Sequence, residues 1–296
     1  MTLQQLRQVL TIAESNSMNE AAKKLFVSQP NLSATVREVE EELGITVFMR
    51  NNRGITVTAE GEEFLGYAKQ VVEQYHLLEN RYLNVESKKK FSVSMQHYSF
   101  AVKAFVQLAK EVGMDEYEFA VHETKTKEVI DNVKNLKSEI GVLYLSDFNE
   151  KVLRKLFKEC DIEFKELFTC NTYVYLWKKH PLAGKKVITL DDLQEYPCLT
   201  FEQGVNNSFY YAEEMMSTYE YKRVIKADDR ATMLNLMVGL NGFTLCSGII
   251  SEDLNGDDYA AIPLKESEKM HIGYIKHKGT KLSKLGEIYI LSLIHI

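Results

Sequence analysis

Between Ser28 and Arg37 the chain sets out Ser28, Gln29, Ser33, Thr35 and Arg37, a hydroxyl, amide and guanidinium series in one short stretch. Groups of these types bond to base edges and phosphates in a major groove. A second collection is scattered further along: Gln96-His97-Tyr98-Ser99, then Glu123-Thr124-Lys125-Thr126, then Thr200-Phe201-Glu202-Gln203 followed by Asn206, Asn207 and Ser208. Its hydroxyls and amides suit a small carboxylate, amino acid or other anion. Catalysis has no comparable candidate. There is no nucleophile elbow, no phosphate-binding glycine loop and no zinc-type histidine spacing, so the chain is not expected to be an enzyme.

The first series needs a helix to carry it. Ser28 can cap the free N–H groups of a helix that starts near residue 29, and Pro30 in the first turn removes an N–H that would lack a partner. Leu32, Val36, Val39 and Leu43 form one inward stripe at helical period, while Pro30, Ser33, Ala34 and Arg37 point the other way. Gly44 ends the helix. Upstream, the small pair Ala21-Ala22 with Leu25 predicts a short helix lying close to its neighbours, and Leu3, Leu6, Leu10 and Ala13 predict another that completes a helix-turn-helix. Downstream, Ile45 to Arg50 and Ile55 to Val57 bracket Asn51-Asn52-Arg53-Gly54, the pattern of a two-stranded wing. Arg50 and Arg53 are placed there for phosphate or the minor groove. Six basic against seven acidic side chains leave residues 1–60 at a net −1. Affinity for DNA must then come from asymmetric placement of the bases, from a dimer's doubled contacts, or from both.

From Glu62 to about Glu86 there is no proline, and Phe64, Ala68, Val71, Tyr75, Leu78, Tyr82 and Val85 alternate in steps of four and three. That heptad stripe predicts a helix that pairs with another helix, although an amphipathic helix packed on its own domain would show it too. Pairing makes a homodimer with two reading helices, and hence an interrupted, roughly palindromic promoter site. The run Glu86-Ser87-Lys88-Lys89-Lys90 reads as a solvated hinge.

Beyond the hinge, strands and helices alternate as in an open α/β domain: Phe91–Met95, Phe100–Val112, Glu118–His122, Lys127–Leu136 and Ile140–Leu145. A second unit starts near Lys165 with a strand at Tyr173–Trp177, a turn at His180-Pro181-Leu182-Ala183, Leu190–Leu193, Cys198–Phe201 and a helix from Ser208. The strand near Met270 to Ile275 and the last helix return to the first unit. Ligands of open sheets bind beyond the carboxyl ends of strands, at helix N-termini. Gln96, His97, Tyr98, Ser99, Thr124, Thr126, Thr200, Phe201 and Ser208 stand at such points and are candidate effector-binding residues. Ser99, Thr124 and Ser208 also read as plain helix caps, and His97 as an interior histidine.

The chain has 296 residues, 45% of them hydrophobic, enough for two or three well-filled domains. Cys160, Cys170, Cys198 and Cys246 are widely spaced, so reduced, mostly buried thiols are expected, with no metal and no cofactor. Ala231 to Ser251 lacks charge, but its asparagines and glycines fit a buried helix, turn and strand rather than a membrane span. With no basic-then-apolar leader at the start, the expected location is cytoplasmic.

Through Ser17 to Ser33, Glu40-Glu41-Glu42-Leu43-Gly44, Phe48-Met49-Arg50 and Val57-Thr58-Ala59-Glu60-Gly61, the chain resembles the LysR-type transcriptional regulators. The resemblance is dense over residues 1–65 and looser beyond. It implies an α+β multidomain fold: an N-terminal winged helix-turn-helix over 1–60, a long dimerising linker helix over 61–88, and a C-terminal two-lobed α/β effector domain over 89–296 resembling type 2 periplasmic binding proteins. Lobe 1 is expected at about 89–162 and 267–296, and lobe 2 at about 163–266, with the effector between them. The resemblance carries the same loops over as an effector pocket, so the candidate effector-binding residues are assigned on the joint basis of their placement and of this resemblance. Implied partners are double-stranded DNA, a small-molecule effector, a second copy in a homodimer or homotetramer, and RNA polymerase. Where many members carry arginine in the recognition helix this chain has Ala34, which bears on the bases read. The Gln96 to Ser99 loop with Phe100 looks like that of members tied to methionine and cysteine metabolism, which points to an amino acid or a sulfur-metabolism carboxylate. The alternative is a small-molecule-binding or catalytic α/β protein with an N-terminal assembly domain.

Overall fold

Hydroxyl side chains open each of the first three helices. Thr2 caps α1 (Leu3–Ala13) in a capping box with Gln5, Ser17 caps α2 (Met18–Lys24), and Ser28 caps α3 (Gln29–Leu43) with Pro30 in its first turn. Gly44, at φ 69, closes α3 in the left-handed region. The computed structural model describes residues 1–15, 17–51, 54–82, 88–113, 116–206 and 208–295, and the chain divides into two units, Met1–Ser87 and Lys88–Ile296.

In the first unit Ala21 and Ala22 are buried with Val9, Ile12, Met18, Leu32, Val36 and Val39 in one core. The turn from α2 to α3 passes through Phe26 at φ 55, whose ring is 96% exposed. Strands β1 (Phe48–Asn51) and β2 (Gly54–Val57) pair antiparallel, Phe48 opposite Val57, and make the wing. The Glu40 carboxylate accepts from the amides of Val47 at 2.7 Å and Phe48 at 3.0 Å, which ties the wing to α3. Helix α4 (Ala59–Tyr82) follows.

Two expectations shift here. Leu3, Leu6 and Leu10 pack against Phe64, Ala68 and Val72 of α4, while the other face of α1, Val9 and Ile12, enters the three-helix core. One helix thus serves two cores, because a second apolar stripe lies one helical step from the first. In consequence Ala68, with Phe64 half-buried, is covered by its own chain rather than left open. Val71, Tyr75 and Leu78 are exposed, joined by Tyr67 and Leu77. Arg7 lies 5.3 Å from the Tyr75 ring centroid and pairs with Glu79 at 3.3 Å. The side chains of Arg50 and Tyr82, and the whole of Arg53 and Val85, lie outside the described residues.

The second unit is built on β3 (Lys89–Met95), α5 (Ser99–Val112), β4 (Tyr117–Glu123), α6 (Thr126–Lys134), β5 (Ile140–Leu145), α7 (Glu150–Glu159) and β6 (Ile162–Asn171). The chain then forms β7 (Tyr173–Trp177), α8 (Leu190–Leu193), β8 (Cys198–Phe201), β9 (Val224–Ala227), α9 (Arg230–Leu240), β10 (Thr244–Cys246), α10 (Glu252–Asn255) and β11 (Tyr259–Pro263). It returns through β12 (Lys269–His277) and ends in α11 (Lys284–Ile294).

One lobe carries a five-stranded sheet in the order β4-β3-β5-β12-β6, with β3 parallel to β4 and β5, and β12 antiparallel to β5 and β6. Every residue of the central β5 is buried, as a strand covered on both faces requires. Phe100, Ala104 and Leu108 of α5 join Tyr289 and Leu293 of α11 in the core on one face; Val129 and Ile130 of α6 join Leu153 and Phe157 of α7 on the other. The second lobe holds the sheets β10-β7-β11 and β8-β9. Lys89 and Lys90, expected in a hinge, begin β3 instead, exposed but paired with Tyr117 and Glu118. The helix expected from Ser208 is a single 3-10 turn, Phe209–Tyr211. The uncharged window 231–251 is α9, a turn and β10. Among the described residues no helix is long and apolar enough to cross a membrane.

A Cβ added at Gly61 would stand 2.3 Å from the Val47 carbonyl oxygen, a backbone atom that cannot swing aside. Gly61→Ala is expected to cost about 1–3 kcal/mol through overpacking of the wing against α4. Gly239→Ala, in α9 with nothing within 4 Å, should be neutral or stabilising by up to about 1 kcal/mol. Urea unfolding followed by circular dichroism compares the two.

Candidate nucleic-acid interface and effector cavity

The outer face of α3 carries the groups that the spacing placed there. Pro30 and Arg37 are exposed, and Gln29, Ser33 and Thr35 are half-buried. Gln29 Nε2 donates to Ser33 Oγ at 3.0 Å, and Thr35 Oγ1 donates to the Asn31 carbonyl at 3.2 Å. Ser28 spends its hydroxyl on the Asn31 amide as the cap. Gln29, Pro30, Ser33 and Arg37 line a groove whose opposite wall is Phe48 and Ile55 of the wing. Arg37 forms no ion pair with any described residue, so its guanidinium is available to an incoming phosphate or base edge.

The second site lies between the two lobes of the C-terminal unit, in a cavity of about 80 Å³. A water needs roughly 10–15 Å³ on this measure, so the space takes several waters or one small ligand. His97, Tyr98, Ser99 and Phe100 enter from the start of α5; Phe201, Glu213, Glu214 and Arg230 enter from the other lobe. His97 Nδ1 lies 2.8 Å from Glu213 Oε2, the same oxygen accepts the His97 amide at 2.9 Å, and Glu213 Oε1 accepts Gln203 Nε2 at 2.9 Å. The His97 ring stacks on Phe201, with centroids 3.7 Å apart and planes 5° from parallel. At the rim Arg230 pairs with Glu123 at 2.5 Å and Lys125 with Asp228 at 3.3 Å, two more bonds from lobe to lobe.

Of the expected residues, His97, Tyr98, Ser99 and Phe201 come together in the cavity wall. Gln96 is buried behind it, donating to Thr126 Oγ1 at 2.6 Å and accepting from the Tyr98 hydroxyl at 3.0 Å and the Tyr144 amide at 3.2 Å. Thr126 in turn donates its hydroxyl to the Tyr211 carbonyl and its amide to Gln203 Oε1, and so bridges the lobes. Thr124 bonds to Glu128, Thr200 is half-buried in β8, and Ser208 is exposed ahead of the 3-10 turn; none of these three lines the cavity. Sequence reasoning passed over Glu213, Glu214, Arg230 and Thr244. The two glutamates fall in an irregular stretch with no period to follow; their only signal is an acidic pair set against Met215-Met216.

Glu214 is buried, and this burial, followed by the neighbouring Glu213 charge, pushes its carboxyl up to about 8. All four cysteines are free thiols, each pushed up by burial and so kept unreactive.

A helix-turn-helix with a bonding outer face and a two-lobed domain around a small cavity define a ligand-responsive, DNA-binding transcription regulator. Residues 3–62 match the bacterial regulatory helix-turn-helix protein of the lysR family, and residues 114–287 match the LysR substrate binding domain. The chain belongs to the LysR family of transcriptional regulators. It is 25% identical over 299 residues to the HTH-type transcriptional regulator CysL of Bacillus subtilis, covering 97% of this chain and 95% of that one. To BsdA of the same organism it is 26% identical over 247 residues, 80% of each chain. A full-length OxyR variant from Pseudomonas aeruginosa shares the fold with a TM-score of 0.71 at 19% identity, over 99% of this chain and 94% of that one.

The ordinary carboxyl value is 4.5, and Glu214 stands near 8. Its contribution to stability is therefore fully present below about 4.5 and is lost as pH rises through 8, because only the unfolded state ionises freely in between. Glutamine cannot ionise. The stability of Glu214→Gln relative to the parent should move in the variant's favour between pH 5 and 8, by at most about 4–5 kcal/mol. Thermal melts across that range check the sign.

Proposed function

We propose that this chain binds an interrupted, palindromic promoter site as a homo-oligomer, through Ser28, Gln29, Pro30, Ser33, Thr35 and Arg37 of the recognition helix and Arg50 and Arg53 of the wing. The observation that carries the reading is the groove between α3 and the wing, with an unengaged Arg37 on its wall. Pairing runs along α4 through Val71, Tyr75, Leu78 and Tyr82, and the exposure of the first three supports it. Ala68 and Phe64 support it from behind, holding α4 on α1. An amino acid or small sulfur-metabolism carboxylate between the lobes is the effector, met first by His97, Tyr98, Ser99 and Phe201, with Gln96 and Thr126 positioning them from behind. Thr124 and Ser208, in loops, and Thr200, in β8, belong to the surroundings of that site. The cytoplasm is the working compartment and RNA polymerase a further contact at the promoter.

Ligand control then requires two lobe arrangements, and the effector shifts between them only by its difference in affinity for each. Arg37→Ala and Ser33→Ala are expected to weaken binding to DNA upstream of the chain's own or neighbouring genes by about tenfold or more each, on the scale of 1–3 kcal/mol per specific contact. Fluorescence anisotropy measures this, with circular dichroism and sedimentation unchanged; equal affinity of the parent for random DNA would sink the proposal. Val71→Asp together with Leu78→Asp should lower the oligomeric state in sedimentation velocity, since each buries a charge in the paired face.

A further inference from the structure

The cavity between the lobes has an acidic wall. Glu213 and Glu214 are 6% and 5% exposed, and both line the space. Glu213 is fully engaged by His97 and Gln203. Glu214 accepts the Phe201 amide at 2.8 Å, but no cation among the described residues forms an ion pair with it. The titratable groups that face it are Glu213 beside it, Tyr98 ahead of α5, Tyr144 of β5, Cys198 of β8 and Tyr221, none of which carries a positive charge. Arg230, the one arginine of the wall, is committed to Glu123.

A separate observation concerns hydroxyls. Thr244 is 6% exposed, lines the same cavity, and its buried Oγ1 has no hydrogen-bond partner. Directly opposite it in the β10–β7 pairing is Tyr175, also in the wall, whose buried hydroxyl approaches Asn255 without bonding to it. An unmet buried polar group costs about 1–3 kcal/mol, so a wall with two of them is completed by a polar ligand. Met233, Met237, Leu245, Ile249 and Met270 give the wall an apolar stretch, with Ser99, Ser247 and Asn255 as further polar groups.

We propose that the effector carries a protonated primary amine on a short apolar frame, its ammonium seated against Glu214 and Thr244, and that acids lacking the amine are not ligands. The assignment rests on the reading of this cavity as the effector site. An ammonium offers three donors and no acceptor. It can leave a charge pair with Glu214 once that carboxyl gives up its proton, and it offers a donor to the Thr244 oxygen, while a bare carboxylate would bring a second negative charge beside Glu213. Because Glu214 is held protonated by its burial, an arriving ammonium displaces its proton, and binding tightens as pH rises toward 8.

Three matched probes test this on the full chain: isopentylamine, L-leucine and isocaproate, which carry the amine alone, both groups, and the acid alone. The amine and the amino acid at high millimolar concentration are expected to raise the melting temperature, and isocaproate is not. Calorimetry in buffers of different ionisation enthalpy should find up to one proton released per amine bound at neutral pH. Glu214→Gln should weaken amine binding about tenfold or more. Thr244→Val should weaken it less, with unliganded melting kept or raised because the orphaned hydroxyl is gone. Stabilisation by isocaproate alone overturns the amine assignment and leaves the effector cavity standing, as does amine binding that Glu214→Gln does not alter. Silence from both amine-bearing probes overturns the assignment as well. The effector-site reading itself fails on a different result, a broad metabolite panel of acids, amines and neutral compounds in which nothing shifts the melting temperature.

Discussion

A carboxylate buried between two lobes must find its hydrogen bonds in both, and Glu213 does. Lobe 1 supplies the ring and amide of His97 and lobe 2 supplies Gln203. Opening the lobes would strand that carboxylate, along with Thr126, which is bonded to Gln203 and to the Tyr211 carbonyl. The irregular stretch around 209–217 keeps its place because its backbone carbonyls receive the Thr126 and Tyr144 hydroxyls. Alongside the apolar core that runs through both lobes, these polar bonds tie the two walls of the cavity to each other.

Such a cleft is poised rather than locked. Around the cavity the lobes meet through polar bonds and the His97–Phe201 stack, and a polar bond exchanged for water changes stability by only about 0.5–1.5 kcal/mol. A ligand that binds one arrangement with a tenfold advantage contributes about 1.4 kcal/mol, which is comparable to one such bond. The sheet of lobe 1, by contrast, is packed on both faces, so its interior is stiffer than the polar cleft beside it.

The reading head was legible in the sequence because its determinants are local. Ser28, Pro30 and Gly44 act within a turn of the residues they cap, and the 3.6-residue period of Leu32, Val36 and Val39 survives without any knowledge of partners. The stripe on α4 was legible as a stripe, but not its division. Whether Ala68 faces a second chain or α1 depends on a contact more than fifty residues away in sequence, and α1 shows only one of its two faces to a count of leucines. In the effector domain the loop from Gln96 to Ser99 could be found by its place after a strand, and three of its four residues reach the cavity. Glu213 and Glu214 could not, since an acidic pair in an unpatterned stretch reads as solvated surface. Their burial is decided by His97 and Phe201, which arrive from distant segments.

The sharing of α1 between two cores has a mechanical meaning. Val9 and Ile12 hold it to the recognition helix's core while Leu3, Leu6 and Leu10 hold it to α4, so reading helix and linker form one rigid tool with α1 as the weld. Helix α4 has 24 residues, a shaft of about 36 Å at 1.5 Å per residue. Rocking that shaft by about 5° swings its far end by roughly 3 Å, the scale of a hydrogen bond, by simple geometry from the same helix length. Lever arms of this kind let a small torque at one end decide whether the tip fits a groove at the other.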